Sequence, residues 1–441
     1  MNRRFLAGWA ALASACLVVP STGCRDAVVL KPAEFEPNLV YAYQMGQQSD
    51  QPFDKPVAQV TRAMGDIFGT PDEPKLPEMI TEDEDLSSLL DLANLIKASG
   101  PADAEGRGLY RKHCASCHGV TGNGRGTMAA QVNPYPRDYR MGIFKFTSTP
   151  IGAKPVKEDL AYVIRNGITG SSMVKIPELT EGDIDALVDY VIFLAIRGEV
   201  ERGLLYLASD LDFTDPEEPE SIYVPELAQS EDEDDLETWE YQQEDLADTV
   251  TRVVGNWIDA TDSALEIPER NKALVPDDIA VLRDAVKVVS SPIHDSVTRG
   301  RTLFLGEKTA CSKCHGISGR GDGQQVDYDA WTKEWTAKFG LDPTDVNSHT
   351  PLIARGALPV RQAAPRNFHE GLFRGGDTPE KLYQRIALGI DGTPMPAAAV
   401  EADDIWDIVN FVRSLIEPGE AVGQTIEEES SQDESSSVAS L

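Results

Sequence analysis

Hydrophobic residues recur every three or four positions along much of the chain, a spacing that puts them on one face of an α-helix. In 181–196, for example, Leu187 and Leu194 fall on one face. Thr180, directly before this run, is a candidate N-cap, and Asp183 completes an approximate capping box. The same periodicity predicts further helices over these ranges: 104–118, 157–166, 236–258, 299–305, 379–388 and 402–416. Because little of the chain alternates in the manner of a strand, we predict an all-α fold.

The chain also repeats itself. The matching segments, taken in order, are Pro-Arg-Asp-Tyr at 136–139 with Pro-Arg-Asn-Phe at 365–368, Gly-x-Phe at 142–144 and 371–373, and Gly-Ile-x-Gly-x-x-Met at 167–173 and 389–395. A weaker echo pairs 60–65 with 250–255, upstream of each half. The repetition predicts a duplicated unit, namely a helical preface followed by a helical domain.

Each half contains the pentapeptide Cys-x-x-Cys-His, at 114–118 and at 311–315. This is the attachment signature of c-type haem, in which both thiols form thioethers and the histidine becomes an axial ligand of iron. A redox-active dithiol would not need the histidine, and a zinc site built from one pair would need the distant second pair. We therefore predict two covalent haem groups, held by these residues: Cys114, Cys117, His118, Cys311, Cys314 and His315.

The second axial ligand of each haem decides its chemistry, because methionine raises the reduction potential and suits electron transfer, whereas an open site permits peroxide chemistry. Met395 is the only methionine after the second motif. After the first motif, Met128, Met141 and Met173 are available, and the internal repeat matches Met173 with Met395. We predict Met173 and Met395 as ligands. The alternatives are that Met395 only fills an apolar gap, or that His349 displaces it.

Arg137 and Arg366 follow the prolines of the repeated Pro-Arg turn. Arginine favours charge-assisted bonds to carboxylates, so both side chains are candidates for pairing with haem propionates. The alternative is that both point into solvent.

These motifs resemble the class I cytochrome c domain, in which an opening helix, the Cys-x-x-Cys-His motif, a methionine loop and a closing helix surround one haem. The resemblance covers about 101–200 and 293–418, and it implies two compact helical domains that transfer electrons. The second half departs from the pattern through an insertion at about 324–364, which contains Trp331 and Trp335. The insertion could cover a haem edge, dock a partner, or simply pack on its own domain.

The remaining segments carry no recognisable chemistry. Residues 24–100 are expected to be helical or irregular, 201–292 to form an acidic, partly helical linker, and 419–441 to form a disordered acidic tail. The net charge of −33 argues against binding to nucleic acid or anionic lipid. It is compatible with plain solubility or with steering toward a basic redox partner.

Residues 1–23 are predicted to be an export signal, because Arg3 and Arg4 precede an apolar run. Cys24 behind small residues resembles a bacterial lipoprotein site, although Ser21 stands where that family usually has leucine. The expectation is therefore an exported protein on the periplasmic side, anchored to the membrane through Cys24. An ordinary signal peptide is the alternative. Cys16 and Cys24 are the only cysteines outside the haem motifs, so the remaining chain has none to form a disulfide or an axial thiolate.

The leading functional hypothesis is an electron carrier between a donor and an acceptor protein, and not an enzyme. The first alternative is a dihaem peroxidase, which would need one haem with a free distal side. The second is an electron-transfer subunit of a periplasmic dehydrogenase or a respiratory oxidase complex.

Overall fold

The structure is a computed structural model that describes residues 33–217 and 219–417. Over these residues the chain is helical, and the α-helices in order are α1 (Leu39–Ser49), α2 (Asp54–Phe68), α3 (Glu78–Thr81), α4 (Glu84–Ser87), α5 (Leu92–Ala98), α6 (Leu109–His113), α7 (Ala115–His118), α8 (Lys157–Asn166), α9 (Glu181–Ala208), α10 (Glu233–Ile258), α11 (Ile279–Val286), α12 (Pro292–Leu305), α13 (Ser312–His315), α14 (Ala330–Trp335), α15 (Thr350–Ile353), α16 (Pro379–Leu388) and α17 (Ala402–Ser414). Two short strands, β1 (Asp327–Tyr328) and β2 (Gln362–Ala363), pair antiparallel at the base of the insertion. The prediction of an all-α fold is confirmed.

The helices agree with the periodicity where the apolar stripe is regular. Residues 157–166 and 379–388 are helical over the predicted bounds. The capping box also forms, because Thr180 Oγ1 accepts from the Asp183 amide at 3.2 Å and Asp183 Oδ2 accepts from the Thr180 amide at 2.9 Å. Helix α9 continues beyond the predicted end at 196 to Ala208.

The helix predicted over 104–118 is shorter in the structure. It begins only at Leu109, because Gly108 adopts a φ of +81°, which is incompatible with a right-handed helix. The chain also passes too close for a side chain there, since a Cβ on Gly108 would stand 2.0 Å from the carbonyl oxygen of Pro101. Periodicity alone could not reveal this break.

Helix α9 is the centre of the larger core and is buried along most of its length. It packs against α2, α5, α8 and α10, so the N-terminal region and the segment predicted as a linker both cover it. The weak echo has a structural basis: Val60 and Met64 on α2, like Val250 and Val254 on α10, are fully buried in this same core. The segment predicted as a linker is therefore divided: α10 completes the first core, whereas α11 and Val275 pack on the second domain.

The second core is smaller and is formed chiefly by α12, α16 and α17. Phe304 on α12 packs on Phe411 of α17, with ring centroids 5.1 Å apart. The insertion has its own small cluster around Trp335 and Leu352. It also reaches the first domain, where Arg361 Nη1 donates to the carbonyl of Val132 at 2.6 Å. The hypothesis that the insertion packs only on its own domain is therefore wrong.

The two halves meet through equivalent surfaces. A Cβ on Gly170 would lie 3.8 Å from Leu372, and a Cβ on Gly392 would lie 3.1 Å from Ile143. Gly170 corresponds to Gly392 in the repeat, and Ile143 corresponds to Leu372. Reciprocal contacts of this kind characterise an interface built around a two-fold axis. The duplicated domains are therefore arranged as an internal pseudo-dimer.

The predicted export signal, Cys24 and the acidic tail at 419–441 lie outside the described residues. Within 33–217 and 219–417, no helix is both long enough and apolar enough to cross a membrane.

Candidate haem sites

In each half the Cys-x-x-Cys-His motif lies on a short helix, α7 in the first half and α13 in the second. Its four cysteines, Cys114, Cys117, Cys311 and Cys314, are all free thiols. Burial raises the pKa of Cys114 to about 12 and also raises that of Cys311. Because attack on a disulfide requires a thiolate, the raised pKa of the first cysteine of each motif, Cys114 or Cys311, disfavours a redox-active dithiol.

The two motif histidines are held in the same way. His118 Nδ1 lies 3.1 Å from the carbonyl oxygen of Arg137, and His315 Nδ1 lies 3.2 Å from that of Arg366. A carbonyl can only accept, so Nδ1 carries the proton in each ring and Nε2 keeps a free lone pair. Metal-ligating histidines commonly have this second hydrogen bond, which fixes the tautomer and the ring orientation.

An aromatic ring stacks on each histidine. Tyr139 lies parallel to His118 with centroids 5.0 Å apart, and Phe368 lies parallel to His315 at 4.5 Å. Burial lowers the pKa of His118 to about 4, against the opposing effect of the carbonyl bond, and it also lowers the pKa of His315. Both imidazoles are therefore kept in the neutral form that binds iron.

Glycines let the next loop lie directly on each motif. A Cβ on Gly126 would stand 2.3 Å from the carbonyl oxygen of Ser116, and a Cβ on Gly323 would stand 2.3 Å from that of Lys313. The amides of these glycines donate to Cys117 and Cys314, at 3.0 and 3.1 Å respectively. The loop is therefore fastened to the backbone of the second motif cysteine in both halves.

The two predicted methionine ligands lie in loops of matching geometry. The carbonyl of Met173 accepts from the Ile168 amide at 2.6 Å, and that of Met395 accepts from the Ile390 amide at 3.1 Å. Each methionine amide donates to a hydroxyl two residues earlier, on Ser171 or Thr393, at 3.2 Å in both cases. Both methionine side chains are partly exposed.

The competing side chains lie elsewhere. Met128 is 44% exposed, and Gln325 occupies its position in the matching loop of the second half. His349 is buried inside the insertion, where Nε2 bonds the carbonyl of Asp342 at 3.0 Å and the ring packs edge-on against Trp335. These contacts already account for His349, so the geometry favours Met395 over it.

Arg137 and Arg366 have a second role that sequence reasoning missed, because their backbone carbonyls hold the motif histidines. The side chain of Arg137 is not free in solvent: its guanidinium carbon lies 3.0 Å above the ring centre of Trp331. Burial lowers the pKa of Arg137 to about 9. Within the described residues, no carboxylate forms a salt bridge with either arginine.

Lys145 and Arg374 add to this positive charge. Burial and the neighbouring Arg137 lower the pKa of Lys145 to about 7, opposed by Asp329 at 3.9 Å. Burial, and then Arg366, lower the pKa of Arg374, whose Nε is buried without a partner in the described part of the chain. The repeat contains a signal for this pair, since Gly-x-Phe is followed by Lys145 in one half and by Arg374 in the other.

These observations fit haem c. Each half supplies two thiols and a neutral imidazole with a free Nε2. Each half also supplies a methionine loop and an arginine beside the motif histidine that forms no salt bridge within the described residues, so it is available to a haem propionate. The zinc alternative has less support, because the described residues contain no group of three His, Cys, Asp or Glu side chains placed to hold a metal ion.

Comparison with known families supports the same interpretation. Residues 101–191 match the family described as cytochrome c oxidase, cbb3-type, subunit III, and residues 297–415 match the family described as cytochrome c. The chain therefore contains two c-type cytochrome domains, which supports haem-based electron transfer.

No curated protein matches the chain. Among solved structures, it is similar to a chain of the reducing HAO-like protein complex of Kuenenia stuttgartiensis. The match has 22% sequence identity and a TM-score of 0.41, and it covers 74% of this chain and 97% of that chain.

Proposed function

Starting from the two cytochrome c domains, we propose that this protein carries electrons one at a time through two covalently attached haems, each with histidine and methionine as axial ligands. The observation that carries the proposal is the matching geometry of the two halves. Each places a free Nε2 and a methionine loop in one domain, through the same set of hydrogen bonds between side chains and the backbone. A duplicated pair of such sites favours similar chemistry at both, which disfavours the peroxidase alternative.

Each residue has a distinct role in this proposal. Cys114 and Cys117, like Cys311 and Cys314, form the thioethers, while His118 and His315 bind iron through Nε2. Met173 and Met395 complete the coordination. Once bound, haem c supplies the one-electron redox chemistry. The polypeptide supplies the ligands, excludes water and orients the group.

The haem propionates are proposed to pair with a cluster of positively charged side chains where the two domains meet. Arg137 and Arg366 lie beside the histidines, and Lys145 and Arg374 extend the cluster. Lys145 has Asp329 as a neighbour at 3.9 Å, whereas the other three cations form no salt bridge within the described residues, and partly buried cations of this kind are unfavourable in the polypeptide alone. The carboxylates of two haems would neutralise them, so haem attachment and domain packing stabilise each other.

The partners are proposed to be a redox donor and an acceptor, at least one of which presents a basic surface. The net charge of −33 supports this, because complementary charge speeds diffusional encounter. Helix α10 also begins with Glu233, Asp234 and Asp235, of which the first two are exposed. A subunit of a dehydrogenase or an oxidase complex would use the same chemistry with a fixed partner.

We also propose export to the periplasmic side and anchoring through Cys24, on the sequence argument alone. Replacing Cys24 with alanine should release the protein from the membrane fraction into the soluble periplasmic fraction. Continued membrane attachment of Cys24→Ala would reject the lipid anchor and leave the haem proposal intact.

The haem proposal is tested by counting haems. The pyridine haemochrome of the purified wild-type protein should give two haems per chain, and they should remain bound after denaturation because thioethers are covalent. Cys114→Ala combined with Cys117→Ala should remove one haem, and the matched pair Cys311→Ala with Cys314→Ala should remove the other. A wild-type count of one or none would overturn the proposal.

A further inference from the structure

Trp331 lies at the junction of the two haem domains. It belongs to α14 of the insertion in the second domain, yet its indole Nε1 donates to the backbone carbonyl of Asp138 in the first domain, at 3.2 Å. The side chain is only partly exposed.

On the side of the first domain, Trp331 supports the group that holds the axial histidine. The guanidinium of Arg137 lies 3.0 Å above the indole centre, and the carbonyl of the same arginine accepts from His118 Nδ1 at 3.1 Å. A cation over the face of tryptophan is attracted by the ring quadrupole, and more strongly when partly desolvated. No carboxylate among the described residues forms a salt bridge with Arg137, although Asp329 raises its pKa from nearby. The indole face of Trp331 packs directly on the guanidinium.

On the side of the second domain, Trp331 supports the methionine loop. Gly392 lies three residues before Met395, and its carbonyl accepts from the Ala330 amide at 3.0 Å. A Cβ on Gly392 would stand 2.3 Å from Cζ3 of Trp331. The indole therefore contacts the backbone of this loop so closely that any side chain at position 392 would overlap with it.

The equivalent position in the other half has no such ring. Gly170 has the same φ of +69° as Gly392, but a Cβ there would meet only Leu372, at 3.8 Å. The repeat thus presents two equivalent loops, of which one is covered by tryptophan. The difference arises from the insertion, which the first half lacks.

From these contacts we propose that Trp331 is a positioning residue that couples the two haem sites. It holds Arg137 beside the axial histidine of the first haem, and it supports the loop that carries the proposed axial methionine of the second. The proposal rests on the function proposed above and deepens it, because it assigns a role to the insertion. One side chain then influences the reduction potentials of both haems.

The direction of each effect follows from charge and ligation. A fixed cation near haem disfavours the more positive ferric state, so releasing Arg137 into solvent lowers the first potential. Methionine ligation raises the potential, so a looser Met395 loop lowers the second. Losing the indole is therefore expected to lower both midpoints.

The test is a potentiometric titration of the full-length, haem-loaded protein, with the two haems distinguished by their spectra. Trp331→Leu should lower both midpoints, each by about 59 mV, which is the equivalent of a tenfold change in a one-electron equilibrium constant. Trp331→Phe keeps a ring beneath Arg137 and should shift both midpoints less. Trp335→Leu is the matched control, because Trp335 lies on the same helix but packs against His349.

Unchanged midpoints in Trp335→Leu, together with the graded shifts at position 331, would support the proposal. It is overturned if either midpoint stays at its wild-type value in Trp331→Leu, or if Trp335→Leu produces the same pair of shifts. Should Trp331→Leu fail to accumulate, the milder Trp331→Phe decides by the same criteria. A failure of the underlying function would show separately, as wild-type protein without two haems.

Discussion

At the scale of single residues, each proposed axial histidine is held by a residue far from it in sequence. The backbone carbonyls of Arg137 and Arg366 accept a hydrogen bond from Nδ1 of the first and the second histidine, respectively. Tyr139 stacks on the first ring and Phe368 on the second. The second axial position differs more between the halves, because Val174 follows Met173 whereas a rigid proline follows Met395. The ligand assignment is therefore most open to test in the first domain.

Replacing Met173 with histidine should lower the potential of the first haem while the haem stays attached, because imidazole stabilises ferric iron better than a thioether does. Met128→His is the matched control, since Met128 also follows the motif but is 44% exposed, and glutamine replaces it in the second half. Redox titration of both variants makes the comparison. A drop in Met128→His with none in Met173→His would reassign the ligand.

The residues of the haem motif could be predicted from the sequence because their chemistry depends on local spacing. The carbonyl roles of the two arginines could not, because they depend on how each Pro-Arg turn folds back onto the motif of its own domain. The repeat marks Lys145 and Arg374 as an equivalent pair, but their burial depends on contacts between segments far apart in the sequence. The alternative of a solvent-exposed Arg137 was wrong for the same reason: its neighbour, Trp331, is 194 residues away.

At the scale of elements, periodicity predicted the regular helices well and missed the structure of the insertion. The apolar stripes of α8 and α16 repeat without interruption, so their bounds were predictable. The insertion folds into short helices: α14 is capped by Asp329, and α15 has no side-chain cap but carries a proline in its first turn. Its packing on the first domain leaves no periodic pattern in the sequence.

The repeated methionine loops permit a matched comparison of glycines. Gly170→Ala should cost about 1–2 kcal/mol of stability, because alanine resists the left-handed conformation of φ +69°. Gly392→Ala carries the same strain and must also displace the ring of Trp331, which adds about 1–3 kcal/mol as for other overpacked sites. Denaturant unfolding of both variants measures the difference. Equal losses would show that the indole does not press on this loop.

The cap of α9 should make stability depend on pH. Hydrogen bonds from Lys97 and Thr180 lower the pKa of Asp183 to about 2, below its ordinary value near 4. The stabilisation is then complete above about pH 4 and is lost as the pH falls toward 2. Comparing Asp183→Asn with wild type across this range should show the difference in unfolding free energy shrinking as the solution becomes more acidic. A difference that stays constant with pH would exclude an ionised cap.

At the scale of the whole molecule, the structure joins two haem domains into one unit through equivalent surfaces and one insertion. The N-terminal helices and α10 wrap α9, while the insertion contacts the first domain through Arg361 and Trp331. Substitutions in the insertion should therefore change the stability of the first domain.

Arg361→Ala tests this link. The guanidinium donates to the carbonyls of Val132 and Ala130 and lies 3.5 Å above the ring of Tyr135, so its loss should cost about 1–3 kcal/mol, the typical cost of a charged hydrogen-bonding group. Arg320→Ala is the control, because its exposed pair with Glu417 should contribute at most about 1 kcal/mol. Unfolding followed at the first haem should register only Arg361→Ala. Unchanged unfolding of Arg361→Ala at the first haem would show that the insertion does not stabilise the first domain.

The central claim, two His/Met haems in matching sites, is tested most directly by near-infrared magnetic circular dichroism of the fully oxidised protein. The charge-transfer bands identify the axial ligand pair of each haem. The account predicts that both haems show histidine–methionine ligation. A high-spin or bis-histidine haem would contradict it, break the equivalence of the two halves, and make peroxidase-type chemistry the hypothesis to pursue.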